Sequence, residues 1–142
     1  MILSDKDFAM VLSAMPVVCV DGVVVNDAGE YLLVRRKNEP LKGEFWVPGG
    51  RVMKNERLED AVARKMREEI GVDVDILGSM GFFEAFFERS RQEVAGGVHM
   101  ISLVYRVRPR SLEIRLDDQS AEWGWFNELP ELFRQYKYLR MD

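Results

Sequence analysis

Glu56, Arg64, Glu68 and Glu69 lie between Gly50 and Gly71 at offsets that could build a site for a divalent cation and a diphosphate. A diphosphate is a polyanion, so attack on it or beside it by water needs its charge neutralised. Hard Mg2+ held by carboxylate oxygens does this and stabilises charge on a leaving phosphate. Arg64 has two available jobs, pairing with Glu56 through its two-pronged guanidinium or touching phosphate, and we favour the first. Lys65 is the anomaly, a cation among the carboxylates where another acid would be expected.

A helix must carry these groups. From about residue 56 to 70 the pattern is helical, with Asn55 expected as N-cap and Gly71 as the residue that closes it. Each residue turns the helix by about 100°, so Leu58, Val62, Met66 and Ile70 form one ridge that should face a sheet. Arg64, Glu68, Ala61, Lys65 and Glu69 occupy the adjoining arc, with Glu69 at the edge of the buried stripe. The bland alternative is a solvated helix whose Lys65 and Glu69 form a pair contributing about 0.2–0.5 kcal/mol. The glycine turn, Glu56, the 64–69 cluster and Gly71 at fixed offsets argue for the functional reading.

The remaining pattern supplies strands around this helix. Ser4 can cap a short helix with Phe8, Val11, Leu12 and Met15 on one face, ended by Pro16. Residues 17–25 are β-branched and apolar, and the turn from Asn26 to Gly29 leads into 31–36, which predicts a hairpin. Short strands are expected at 45–47 and 123–126, longer ones at 72–88 and 99–108, and a helix at 129–139. One domain with an α/β sandwich around a mixed sheet follows.

Composition bounds the function. The 142 residues are 47% apolar and 31% charged, as in a globular domain, and the net charge of −4 disfavours nucleic acid. One cysteine, Cys19, in an apolar run suits a buried thiol and a cytoplasmic location. One histidine, His99, excludes a His-rich zinc site. There is no signal peptide or membrane-spanning run, so no membrane partner is expected.

The segment resembles the Nudix box, G-x5-E-x7-R-E-U-x-E-E-x-G-U with U a bulky aliphatic residue. Gly50, Glu56, Arg64, Met66, Glu68, Glu69, Gly71 and Val72 match, and Lys65 replaces the glutamate after the arginine. Trp123-Gly124-Trp125-Phe126 and Glu128-Leu129-Pro130 are similar to the end of such a domain. The resemblance implies a Nudix-type α/β/α sandwich around a mixed β-sheet, one Nudix hydrolase domain over 1–142, and Mg2+ (or Mn2+) held by the helix glutamates.

Asp7-Phe8-Ala9, Pro16, Asp21, the 29–33 segment and Phe45 to Val52 are further similar to GDP-mannose mannosyl hydrolases. That subfamily breaks the sugar's C–O bond with inversion and releases GDP. The resemblance implies that the Gly49 carbonyl, Glu69 and Gln119 bind the metal, with Glu68 a further metal or catalytic carboxylate. It also implies that Asp21 and Arg36 contact the nucleotide end and that Arg51, Arg64 and His99 lie near the diphosphate or sugar, Arg51 assisting the leaving GDP. It suggests a homodimer. Read without it, Asp21 and Arg36 could pair across the hairpin, and His99 could be a satisfied strand histidine.

Both usual bases are missing. Lys65 stands at the Nudix glutamate, and Ser120 stands where the subfamily has a histidine after the metal-binding glutamine. A serine hydroxyl is no base near pH 7 without its own activator. Asp118, Glu122, Glu84, Glu88 and Glu93 are the candidate substitutes. Lys65 should lower the pKa of Glu68 or Glu69, tie up one of them, and leave a single Mg2+ site.

Phe82, Phe83, Phe86 and Phe87 read as core or dimer contacts ahead of nucleobase stacking. The leading reading is a Mg2+-dependent hydrolase of a nucleotide sugar, GDP-mannose first, cutting C–O. The alternatives are a pyrophosphohydrolase cutting P–O in ADP-ribose, a nucleotide sugar or a nucleoside triphosphate, and a nucleotide-binding domain that has lost its base.

Overall fold

The computed structural model describes residues 2–92 and 94–141. In chain order the elements are α1 (Asp5–Ala14), β1 (Val17–Val24), β2 (Tyr31–Arg36), β3 (Phe45–Trp46), β4 (Gly49–Arg51), α2 (Leu58–Ile70), β5 (Val74–Phe87), β6 (Val98–Pro109), β7 (Ser120–Phe126) and α3 (Glu131–Arg134). They make an α/β fold, with the strands in two sheets. One sheet is mixed, in the order β4-β1-β6-β5 with β1 parallel to β6; the other is β3-β2-β7.

The predicted hairpin is corrected here. β1 pairs with β4 and β6, whereas β2 pairs with β3 and β7. Only an isolated bridge, Val25 to Tyr31, joins the two across their turn. The Asn26 side chain organises that turn by accepting from the backbone N–H groups of Ala28 and Glu30. The turn residues were legible, but both flanking strands find longer partners elsewhere.

α2 begins at Leu58, with Arg57 as N-cap and no side-chain cap, rather than at Glu56. Asn55 is not the cap. It adopts φ 68°, a left-handed conformation asparagine tolerates, inside a turn where the Glu56 N–H donates to the Met53 carbonyl. Gly71 closes the helix at φ 70° as its lack of a side chain allows.

The expected ridge holds: Val62, Met66 and Ile70 are fully buried, and Leu58 packs at the edge of their cluster. Each such side chain contributes about 1.5–3 kcal/mol. The helix lies close on β1 because Gly22 leaves room; a Cβ there would meet the Met66 sulfur at 2.8 Å.

A second core on the other side of the strands joins Val23, Leu33, Trp46 and Phe83 to Phe133 of α3. The helix expected at 129–139 shrinks to α3. Its apolar spacing reflects tertiary packing instead, because Tyr136 stacks on Phe83 at 4.3 Å and Leu139 bridges to Gly81.

Candidate active site

The short strand β4, the buried side of α2 and the 117–119 loop enclose a cavity of about 500 Å³. Gly49, Arg51, Glu68, Glu69, Asp21 and Arg36 line it together with Gln119, so seven of the nine residues singled out by the resemblance meet there; the helix clamp Arg64 and His99 do not line it. Strand pairing explains part of this. Asp21 of β1 sits opposite Gly49 of β4, and the Gly22 N–H donates to the Pro48 carbonyl, so the glycine turn is stitched to the central strand.

Arg64 is a clamp. Its Nε and a terminal nitrogen donate to the two oxygens of Glu56 at 2.7 and 2.9 Å, and the same terminal nitrogen donates to the Arg51 carbonyl at 3.0 Å. The Glu56 carboxylate also accepts from the Met53 N–H at 3.1 Å. The Arg64 guanidinium holds the Glu56 carboxyl well below its ordinary range, at about 2, and Glu56 in turn raises the Arg64 pKa. This pair ties the loop before α2 to the helix.

Glu69 is its opposite. It is buried, and one carboxylate oxygen has no hydrogen-bond partner. Burial pushes its pKa up to about 7; Lys65 opposes the rise, while Asp117 and Asp21 add to it. Lys65 thus acts on Glu69 in the expected direction, but the net shift is upward because desolvation outweighs an ammonium 4.0 Å away. At Glu68 the net shift is downward. There burial raises the pKa, but the Lys65 and Arg64 contacts at 3.2 Å together bring it below the usual range. Glu68 is half exposed and occupied by these two cations, which leaves Glu69 as the free carboxylate.

Asp21 is buried beside Glu69 and accepts from the Ser102 hydroxyl. Burial pushes its pKa up to about 7, opposed by that hydrogen bond and by Arg36. Asp21 and Arg36 do not pair directly, since the Arg36 Nε donates to the Pro40 carbonyl at 2.7 Å. Gln119 accepts from the Asn38 side chain at 2.7 Å and lies 3.3 Å from Asp118. The Arg51 guanidinium rests 4.2 Å above the Phe8 ring, so α1 roofs this end of the cavity.

His99 lies elsewhere. Val98 and Met100 of β6 line the cavity, and alternation along the strand turns His99 away from it. Its Nε2 sits 2.7 Å from Glu84, and its ring stacks on Phe86 at 4.3 Å. His99 is therefore not brought to this cavity with the other expected site residues, and its contacts are those of the satisfied strand histidine.

Of the candidate bases, Glu84 is taken by His99, Glu122 pairs with Arg35 at 2.7 Å outside the cavity, and Glu88 does not line it. Glu93 lies outside the described residues. Asp118 lines the cavity, whereas Ser120 is buried at the start of β7 and does not. Asp117, which the sequence did not single out, also lines it. Its carboxylate accepts from the Gln119 N–H at 3.0 Å, and nothing local in the sequence ties it to Glu69.

The donor set suits a hard cation. Glu69 offers a buried oxygen with no other partner, and Glu68, the Gly49 carbonyl and Gln119 offer further oxygens. Among the described residues no three acidic, histidine or cysteine side chains converge to hold a metal by themselves. Mg2+ is commonly held by one or two carboxylates with water and substrate phosphates completing the shell. Among the described residues, no helix is long and apolar enough to cross a membrane.

Comparison with known proteins identifies the family. The family model described as "NUDIX domain" matches residues 15–138. The low-salt glycan biosynthesis protein Agl8 of Haloferax volcanii is 38% identical over 120 residues, covering 84% of this chain and 72% of that protein. The ADP-ribose pyrophosphatase of Methanocaldococcus jannaschii is 34% identical over 119 residues, covering 82% of this chain and 66% of the relative, just under two thirds of its length. Among solved structures, a MutT NUDIX hydrolase from Burkholderia pseudomallei superposes with a TM-score of 0.71 at 29% identity, covering 84% of this chain and 94% of that one. Hydrolases of this family generally use divalent metals such as Mg2+ and bind nucleotide-type small molecules. With the family model spanning most of its length, the chain belongs to the NUDIX family and is a Nudix hydrolase.

Proposed function

We propose that this chain hydrolyses a nucleoside diphosphate sugar, GDP-mannose-like, by C–O cleavage that yields GDP and the free sugar. The observation that carries the reading is the buried, unpartnered oxygen of Glu69 in a cavity that also holds Arg36, Arg51 and Lys65. An anionic diphosphate brought in with a cation would satisfy all four groups. The lysine in place of the usual Nudix base, and the kinship with a protein of glycan biosynthesis, support C–O over P–O chemistry. The reading takes residues 1–142 as one Nudix domain, cytoplasmic and homodimeric.

In this mechanism Glu69, the Gly49 carbonyl and Gln119 would hold Mg2+ (Mn2+ as a substitute), with Glu68 at the rim. A cation held there would neutralise the diphosphate and the charge on the leaving GDP. Asp21 and Arg36 hold the nucleotide end. Arg51 leaves the Phe8 ring to donate to the diphosphate oxygen from which the sugar departs. Arg64 acts through Glu56 and the Arg51 carbonyl, fixing the backbone that carries Gly49 to Arg51. Asp118 accepts a proton from water attacking the anomeric carbon opposite the leaving group. The C–O bond breaks, its electron pair goes to the GDP oxygen, and the anomeric centre inverts. Asp118 is chosen because it alone of the described candidate bases lines the cavity.

A second reading, P–O cleavage of ADP-ribose, draws on the 34% identical pyrophosphatase. Incubating the protein with Mg2+ and GDP-mannose or ADP-ribose in 18O-water separates them. Label in mannose is the expected result. Label in a phosphate overturns C–O cleavage, and absence of turnover on both substrates favours a domain that only binds nucleotide.

A further inference from the structure

The lysine that breaks the Nudix box is built into the cavity wall. Its stem lies across Gly50, where an added Cβ would meet the Lys65 Cε at 2.5 Å and the Nζ at 3.0 Å. A side chain at residue 50 would therefore displace the lysine. The Lys65 side chain is 19% exposed, and its ammonium stands 3.2 Å from Glu68 and 4.0 Å from Glu69. An ammonium has three donors. Glu68 takes one, and the longer Glu69 contact is an ion pair without a hydrogen bond, so donors remain for an incoming anion.

We propose that the Lys65 ammonium is a tethered cation: it fills the place of a second divalent ion between Glu68 and Glu69 and donates directly to a substrate phosphate oxygen. The site consequently takes one divalent ion, and Lys65 is a substrate-binding residue. The inference rests on the diphosphate-site reading above but not on the identity of the base or sugar, or on which bond is cut.

The physical reason is charge balance. Two adjacent carboxylates facing a diphosphate repel it, and each cation placed among them reduces that repulsion. A lysine between them removes one charge from the pair and leaves one carboxylate for the metal. Unlike an ion it cannot leave, so some attraction for phosphate persists without any metal. Its point charge makes few geometric demands on the phosphate it meets.

The test uses inorganic pyrophosphate and Mn2+, so that neither turnover nor base recognition enters. Loss of the free Mn2+ electron paramagnetic resonance signal, corrected for Mn2+ bound by pyrophosphate alone, counts ions per chain. Wild type is expected to saturate at one and Lys65→Glu at two. In EDTA, pyrophosphate should bind Lys65→Met about tenfold more weakly than wild type, the loss of one charge-assisted hydrogen bond, and Lys65→Arg should retain most of the affinity. Lys65→Met keeps a stem against Gly50, and thermal melts identify any variant that fails to fold. Two tight ions in wild type overturn the proposal, as does a folded Lys65→Met that binds pyrophosphate like wild type. A P–O outcome in the 18O experiment would leave these results intact and remove only the C–O reading.

Discussion

Glu56 and Glu69 stand at opposite ends of one segment and live in opposite environments. Glu56 accepts two hydrogen bonds from Arg64 and one from the backbone, and its carboxyl is held near 2. Glu69 is buried with an oxygen left bare, and its carboxyl is raised to about 7. Both have the same side chain, so neighbours alone make the difference. A carboxylate whose acceptors are all used stabilises the fold. One that burial has stripped of partners is held ready for a cation that arrives from outside.

The sharpest way to break that contrast is Glu69→Gln. It should cut turnover by about 100-fold or more, because several kcal/mol of charge stabilisation passes through this ligand. Urea melts of the metal-free protein should meanwhile show no loss of stability. A variant that keeps full activity would remove Glu69 from the metal site.

Glu56→Gln should do the reverse in kind. Leaving the Arg64 guanidinium without its carboxylate should destabilise the fold by about 1.5–3 kcal/mol, measured as a lower urea midpoint. Activity in the remaining folded protein should fall less than in Glu69→Gln.

The pH dependence of stability should carry both signs. The Glu56 pKa is lowered on folding from 4.5 to about 2, so its contribution is present above 4.5 and is lost as pH falls through 2. Glu69 and Asp21 behave oppositely, rising from 4.5 and 3.8 to about 7. Between about pH 4 and 7 the folded state holds protons that the unfolded chain has released, so metal-free stability should decline across that window and level off above it. Glu69→Gln should flatten much of the decline. Melting temperatures across the pH range provide the measurement.

The smallest effect is expected at His99. His99→Ala should leave kcat and KM as they are, since the ring faces Glu84 and Phe86 outside the cavity. The partly exposed contact with Glu84 that it breaks is worth about 0–1 kcal/mol. A large rise in KM would return His99 to the substrate.

The helix was readable because its signals are local. The 3.6-residue period put Val62, Met66 and Ile70 inside and Glu69 at the edge, and Gly71 marked the end. The start slipped by two residues because Asn55 serves a left-handed turn just before it. The strand pairing was less readable. The 26–29 turn implied a hairpin, yet β1 gains far more pairing beside β6, a partner remote in the chain.

By itself the sequence determined the family, the helix that carries the carboxylates and the clamp between Glu56 and Arg64. These depend on spacing along one helix and its entry turn. Tertiary structure alone decided which acid is desolvated, that Asp117 and Asp118 line the same cavity as Glu69, and that His99 turns away while Asp21 turns in. The physical reason is that a carboxylate's charge, proton and available partners depend on groups packed around it. Most of those groups, here β1, β4 and the 117–119 loop, come from distant parts of the chain.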